Sequence, residues 1–137
     1  TDVLGAAWGT DGTIVAAIHP TGRLWRIPEA GGAPRPLVDL SAERLSPVWP
    51  QLVHGGAAVV YSTTGSGGAD RGAVEAYVPR DGTRRVLVRG ATFARLVPGG
   101  LLAYVNQGTL YAVPFDTGAL AVRGTPVPVL ADVAYSR

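Results

Sequence analysis

The chain has 137 residues, of which 47% are hydrophobic and 16% charged, with a formal net charge of +2. That length suits one domain able to bury a core, and the absence of cysteine excludes disulfides and thiolate metal sites. All 12 basic residues are arginine and only Arg84-Arg85 are adjacent, so there is no basic stripe of the kind that binds nucleic acid.

Glycine (19) and proline (11) punctuate short runs rich in β-branched and aromatic residues, such as AAVVY and LLAYV. That pattern predicts many short strands joined by tight turns, where disorder would lack the apolar runs. Two stretches carry no formal charge, Leu45 to Ala69 and Leu96 to Phe115. Each is broken by Pro, Gly and Gln or Asn, so neither reads as a membrane-spanning helix. Thr1 onward shows no basic-then-apolar leader pattern.

In chain order, LGAAWGTDGTIVAAI (Leu4 to Ile18) reads as strand, tight turn at Thr10-Asp11-Gly12, and strand. His19 opens HPTG, where Pro second and Gly fourth predict an exposed type I turn. RLWRIPEAGG, from Arg23, is a third strand, and PRPLVDL a fourth. SAERL (Ser41 to Leu45) is read as a linker between blades, with one helical turn as the alternative. LSPVWPQLVHGGAAVVYS (Leu45 to Ser62) then repeats the opening pattern around His54-Gly55-Gly56. The polar stretch TTGSGGADRG, Thr63 to Gly72, is read as a mobile loop, followed by strands in VEAYVPRDG and RRVLVRG. ATFARLVPGGLLAYV (Ala91 to Val105) turns at Pro98-Gly99-Gly100 and leads into TLYAVPFDTG and PVPVLADV.

The chain therefore reads as three copies of a four-strand unit of roughly 40 to 46 residues, the span of a propeller blade. The predicted fold is all-β: a β-propeller segment of four-stranded antiparallel blades, with boundaries at about 1-42, 43-90 and 91-137. Ile27-Pro28, Val78-Pro79 and Val113-Pro114 are read as strand terminators. Proline has no N–H for a central ladder, and the Asp, Thr and Gly that follow reverse the chain. No helix is predicted, because helical spacing is absent and prolines recur. In this alignment Trp8, Trp49 and Arg95 occupy like positions on the first, innermost strands.

The stretches AAWGTDGTIVAA, LWRIPEAGGAPRPL, VWPQLVHGG, RRVLVRGATFARLVPGGLLAYV, GTLYAVPFDTGAL and GTPVPVLADV resemble the TolB-like, WD40-like propeller family. The likeness is greatest to the sensor-like propellers attached to bacterial serine/threonine receptor kinases, and it covers almost the whole chain. It implies six or more blades in the parent protein and an extracytoplasmic location. The family's Pro-Asp-Gly turn keeps its Asp only in Thr10-Asp11-Gly12; His54 and Pro98 stand in the other two turns. No kinase motif is present: no glycine-rich nucleotide loop, no His-Arg-Asp and no Asp-Phe-Gly.

Candidate chemistry is sparse. His19 and His54 read as exposed turn residues, and with no nearby carboxylate they make no metal site; no Asp-x-Asp calcium loop occurs. Ser46, Ser62, Thr64 and Ser66 lack the Gly-x-Ser-x-Gly elbow of a hydrolase. The same segment fails the nucleotide-loop patterns, so no catalytic residue and no cofactor is assigned. Trp8 and Trp49 are expected to pack between adjacent blades, and Trp25 to be partly exposed. Arg95 is the leading ligand-binding candidate, because its planar fork suits an anion near the central channel. Gln51, close in register, and Trp49 complete that candidate set.

Three blades cannot close a ring that typically holds four to eight. Open edges recruit other strands, and repeat units need neighbours to bury their cores. The chain is therefore expected to pair with a second copy as a six-bladed dimer, or to belong to a longer polypeptide. The functional expectation is a non-catalytic binding or sensor module for a protein, peptide or glycan. The alternatives are the gating propeller of a prolyl-oligopeptidase-like or tricorn-like protease, or a pure assembly scaffold.

Overall fold

The computed structural model describes residues 2–65 and 72–133. Blade one holds β1 (Asp2–Trp8), β2 (Thr13–His19), β3 (Arg23–Pro28) and β4 (Arg35–Asp39). Blade two holds β5 (Leu45–Val53), β6 (Ala58–Gly65), β7 (Ala73–Val78) and β8 (Thr83–Arg89). Blade three holds β9 (Thr92–Val97), β10 (Leu101–Asn106), β11 (Thr109–Asp116), β12 (Ala121–Val122) and β13 (Val127–Leu130). Within each sheet consecutive strands are neighbours and antiparallel. In blade three the outer position is shared: β12 pairs the end of β11 through Phe115–Val122, and β13 pairs its start through Ala112–Val127. Helix is confined to single 3-10 turns at Ser41–Glu43 and His54–Gly56 among the described residues. The architecture is that of three β-propeller blades.

Local chemistry sets the hairpins. Asp11 Oδ1 accepts from the Thr13 amide at 3.0 Å, and Gly9 N donates to Thr13 O at 2.7 Å, which closes the first turn. The turn at the end of β2 differs from the expected one. It runs from Ile18 to Thr21, closed by Thr21 N to Ile18 O at 3.1 Å, with a cis His19–Pro20 peptide inside it. It therefore starts one residue before His19.

The prolines act differently from the expected terminators. Pro28 ends β3, but β11 runs through Pro114, which pairs with Leu101, and continues to Asp116. The physical reason is the hydrogen-bond alternation of an antiparallel ladder. The inward-donating amide belongs to the next residue: Glu29 N donates to Gly12 O at 2.8 Å, and Phe115 N to Gly100 O at 2.8 Å. Proline's missing N–H is thus not needed by the ladder on that side. Pro79 is a step out of register with the other two and lies beyond the end of β7.

Two cores form, each between blades. Between blades one and two, Val15, Ala17, Leu24, Val38 and Leu40 pack against Val59 and Tyr61. Between blades two and three, Val60, Val74 and Ala76 pack against Ala94, Leu102, Tyr104 and Val113. Strand alternation makes this possible, since side chains two apart face the same neighbour. Every blade thus needs a neighbour on each face to cover its apolar side chains.

Asp39 closes blade one. Its Oδ1 accepts from the Ser41 amide at 3.0 Å and from the Ser41 hydroxyl, and Oδ2 accepts from Arg23 Nε at 2.8 Å. The Ser41 hydroxyl, then the Arg23 guanidinium, hold the Asp39 carboxyl at about 2, below its ordinary 3.8. A depressed folded value means stabilisation that is complete above the ordinary carboxylate range and lost as pH falls through about 2. Asp39→Asn should therefore melt below wild type at neutral pH. The two melting curves should converge as pH is lowered from about 5 to about 2, read by circular dichroism.

Candidate functional site

The first strands touch one another from blade to blade, β1 against β5 and β5 against β9, with packing by their hairpin neighbours, and at the outer edge β8 meets β12. Register fixes which residues are equivalent. Val53 pairs with Ala58 and Val97 with Leu101 at the turns, where blade one has the Gly9–Thr13 bond. Counting back from these turns makes Gly5, Trp49 and Phe93 one set, Ala7, Gln51 and Arg95 a second, and Trp8, Leu52 and Leu96 a third. The expected alignment of Trp8 with Trp49 and Arg95 is therefore wrong. The sequence match followed the tryptophans, whereas turns and strand pairing determine position.

The first set forms a bulge in each blade. Gly5 has φ of 107°, Trp49 of 48° and Phe93 of 52°. Positive φ is rare and strained for aromatic residues, so something must compensate. The Trp49 and Phe93 rings stack with centroids 4.4 Å apart, an arrangement worth roughly 0.5–1.5 kcal/mol beyond simple burial. On the other side, a Cβ on Gly5 would lie 2.9 Å from Trp49 Cα, so blade one approaches too closely for any side chain there. Trp49 packs between blades as expected.

Trp8 does not. It is 69% exposed, and its indole Nε1 donates to Glu29 Oε2 at 2.6 Å. Its counterparts Leu52 and Leu96 each pack into a core against the preceding blade. Among the described residues no blade packs against Trp8, and the position that holds leucine in blades two and three is exposed in blade one.

Gln51 joins blade two to blade three. Its Nε2 donates to Ala94 O at 2.7 Å and its Oε1 accepts from Leu96 N at 2.8 Å. The amide thereby grips the backbone on both sides of Arg95. Arg95 itself, one blade on in the same register, is exposed, and no salt bridge to a described residue involves it. The structure thus brings Gln51 to the backbone flanking Arg95, and sets Trp49 against Phe93. Phe93 was missed by sequence reasoning, although equal spacing from the three turn starts at Thr10, His54 and Pro98 would have found it.

The remaining candidates fall apart. Ser62 is fully buried and accepts a long bond from Ala94 N, 3.4 Å. Thr64 donates to Ser46 O at 3.4 Å, and neither hydroxyl has a base beside it. Ser66 and most of the predicted polar loop lie outside the described residues. His19 and His54 are exposed, and no group of three or more metal-ligating side chains occurs among the described residues.

A buried carboxylate network went unread in the sequence. Glu75, 3% exposed, accepts from Tyr61 Oη at 3.0 Å and from Arg84 Nε at 2.8 Å. Arg84 also reaches Glu43, in the turn that links blades one and two. Burial, then the Glu75 charge, pushes the Tyr61 hydroxyl well above its ordinary range, so it stays a donor. The bond from Arg84 lowers the Glu43 carboxyl. Arg85 points the other way and donates to Ala119 O at 2.8 Å and Leu120 O at 3.3 Å in blade three. Alternation along β8 sends the adjacent arginines to opposite neighbours. The missed signal was an acid at the centre of an apolar strand, Val74-Glu75-Ala76.

No protein-family model matches the chain, and no curated protein matches it. Solved structures do. A calcium-binding protein, regucalcin, from Agrobacterium tumefaciens superposes with a TM-score of 0.68 at 17% identity, covering 90% of this chain and 43% of that one. A putative gluconolactonase gives 0.67 at 21% identity, with 93% and 48% covered. Puromycin hydrolase gives 0.63 at 18% identity, with 88% and 20% covered. The chain spans less than half the length of each of these proteins. What the likeness establishes is the fold: a β-propeller segment of three blades.

Proposed function

We propose that this chain is a non-catalytic interaction module that works as part of a closed ring of blades. One observation carries the reading. Val3 and Ala6 are exposed in blade one, while their counterparts Pro47 and Pro50, and Ala91 and Ala94, are buried; Trp8 is exposed where its counterparts Leu52 and Leu96 are half-buried. The polar groups of the axial strands support the same reading, because Gln51 is spent on backbone and no base–nucleophile pair is assembled among the described residues. Arg95 at the axial rim is the group left to meet an anionic or carbonyl partner. The TolB-like, sensor-type character rests on the sequence resemblance.

The second reading, part of an enzyme-associated propeller, is favoured by the match to puromycin hydrolase, of which only 20% is covered. Gluconolactone and puromycin, the substrates named in the matched proteins, separate the two. The purified chain should turn over neither above buffer. Turnover of either that disappears in Arg95→Ala would overturn the non-catalytic reading.

A further inference from the structure

We infer that the forward face of blade three takes the rear face of blade one from a second copy of this chain, two chains closing one ring. This rests on the closed-ring reading above and names the partner. The same pair of faces already docks inside the chain, blade one onto two and two onto three. The third docking surface is present and bare on both sides.

On the forward face, Val53, Ala58 and Val60 of blade two are buried against blade three. Their counterparts Val97 and Leu101 are 39% and 37% exposed, with Ala103 beside them. On the rear face, Val3 is 65% and Trp8 69% exposed. Trp8 suits a partner's blade three in a specific place. Its counterpart Leu52 shares a small cavity with Val15, and Val15 corresponds to Ala103. A large indole therefore meets a small methyl, where inside the chain a leucine meets a valine.

The polar seam fits as well. Arg95 stands where Gln51 stands one blade earlier, and the partner's Ala6 O stands where Ala94 O accepts from Gln51. A guanidinium can donate to that carbonyl, although it cannot accept from the Trp8 amide as Gln51 does from Leu96. Two copies of the three described blades supply six, within the four to eight that typically close a ring. The seams are head-to-tail and close by a two-fold axis.

The test is native mass with single-cysteine cross-linking, since the chain has no cysteine of its own. At about 50 µM the wild type should run at twice the 14.1 kDa of one chain. Trp8→Glu should weaken association roughly 30-fold or more, because it buries a charge at a central anchor. If that variant misfolds by circular dichroism, Leu101→Glu on the opposite face replaces it. With a short bismaleimide, a mixture of Trp8→Cys and Ala103→Cys chains should cross-link, and neither alone should. A wild-type mass of one chain overturns the proposal, as does a dimer in which Trp8→Cys cross-links to itself. Turnover of gluconolactone or puromycin would instead sink the non-catalytic reading, so the two failures are separable.

Discussion

Gln51→Leu should lower the melting temperature by roughly 10 °C, the cost of about 3 kcal/mol in a chain of this size. The side chain is nearly unchanged in volume, so packing is not what is lost. Two hydrogen bonds disappear, to Ala94 O and from Leu96 N. Ala94 is 2% exposed, so water cannot replace the lost donor at its carbonyl. Each bond contributes about 1 kcal/mol, and a stranded buried partner costs roughly 1–3 kcal/mol more. Thermal unfolding at one fixed protein concentration measures this, because association shifts apparent stability. Gln51→Glu is the informative control. It keeps the acceptor for Leu96 N and loses the donor, then regains an O–H when protonated below about pH 4. Its deficit relative to wild type should narrow on acidification, whereas that of Gln51→Leu should not.

Arg84→Met should be equally severe, at about 3 kcal/mol or more, because it strands the Glu75 carboxylate in the core. Glu75 would keep only the Tyr61 hydroxyl at 3.0 Å. Removing one member of a buried pair costs more than removing both, since the uncompensated charge is the penalty. Glu75→Leu combined with Arg84→Met should therefore recover most of the loss, and denaturant midpoints would show it. Glu43→Gln should cost under about 1 kcal/mol, because its side chain is 49% exposed and its pair with Arg84 is solvated. A double variant no more stable than Arg84→Met alone would show that the network acts through shape and not through charge burial.

Repeat number, strand order and the turns between first and second strands were legible in the sequence, because each depends on local chemistry; the turn after β2 was read one residue late. Asp11 and the paired glycines mark where the chain reverses, and the period-two runs between them mark strands. The position of Trp8 was not legible. It resembles Trp49 in type and spacing, yet register places it with Leu52 and Leu96. One aromatic stacks between blades at 4.4 Å while the other faces solvent. Nothing in the residue itself distinguishes them; the distinction lies in register, which puts Trp49 on the bulge facing Phe93 and Trp8 three positions closer to its turn.

The same limit explains Gln51 and Glu75. A glutamine near the end of a strand and a glutamate within one read as surface residues when only the neighbours in sequence are known. Gln51 joins Ala94 and Leu96 across a gap of more than 40 positions, and Glu75 meets Arg84 and, through it, Glu43. The amino-acid order by itself determined an all-β repeat of three blades, because strand alternation and turn residues act over a few positions. Only the tertiary structure decided which polar groups join blades and which apolar residues remain uncovered. Those outcomes depend on what docks against each face, and docking brings together residues that the chain keeps far apart.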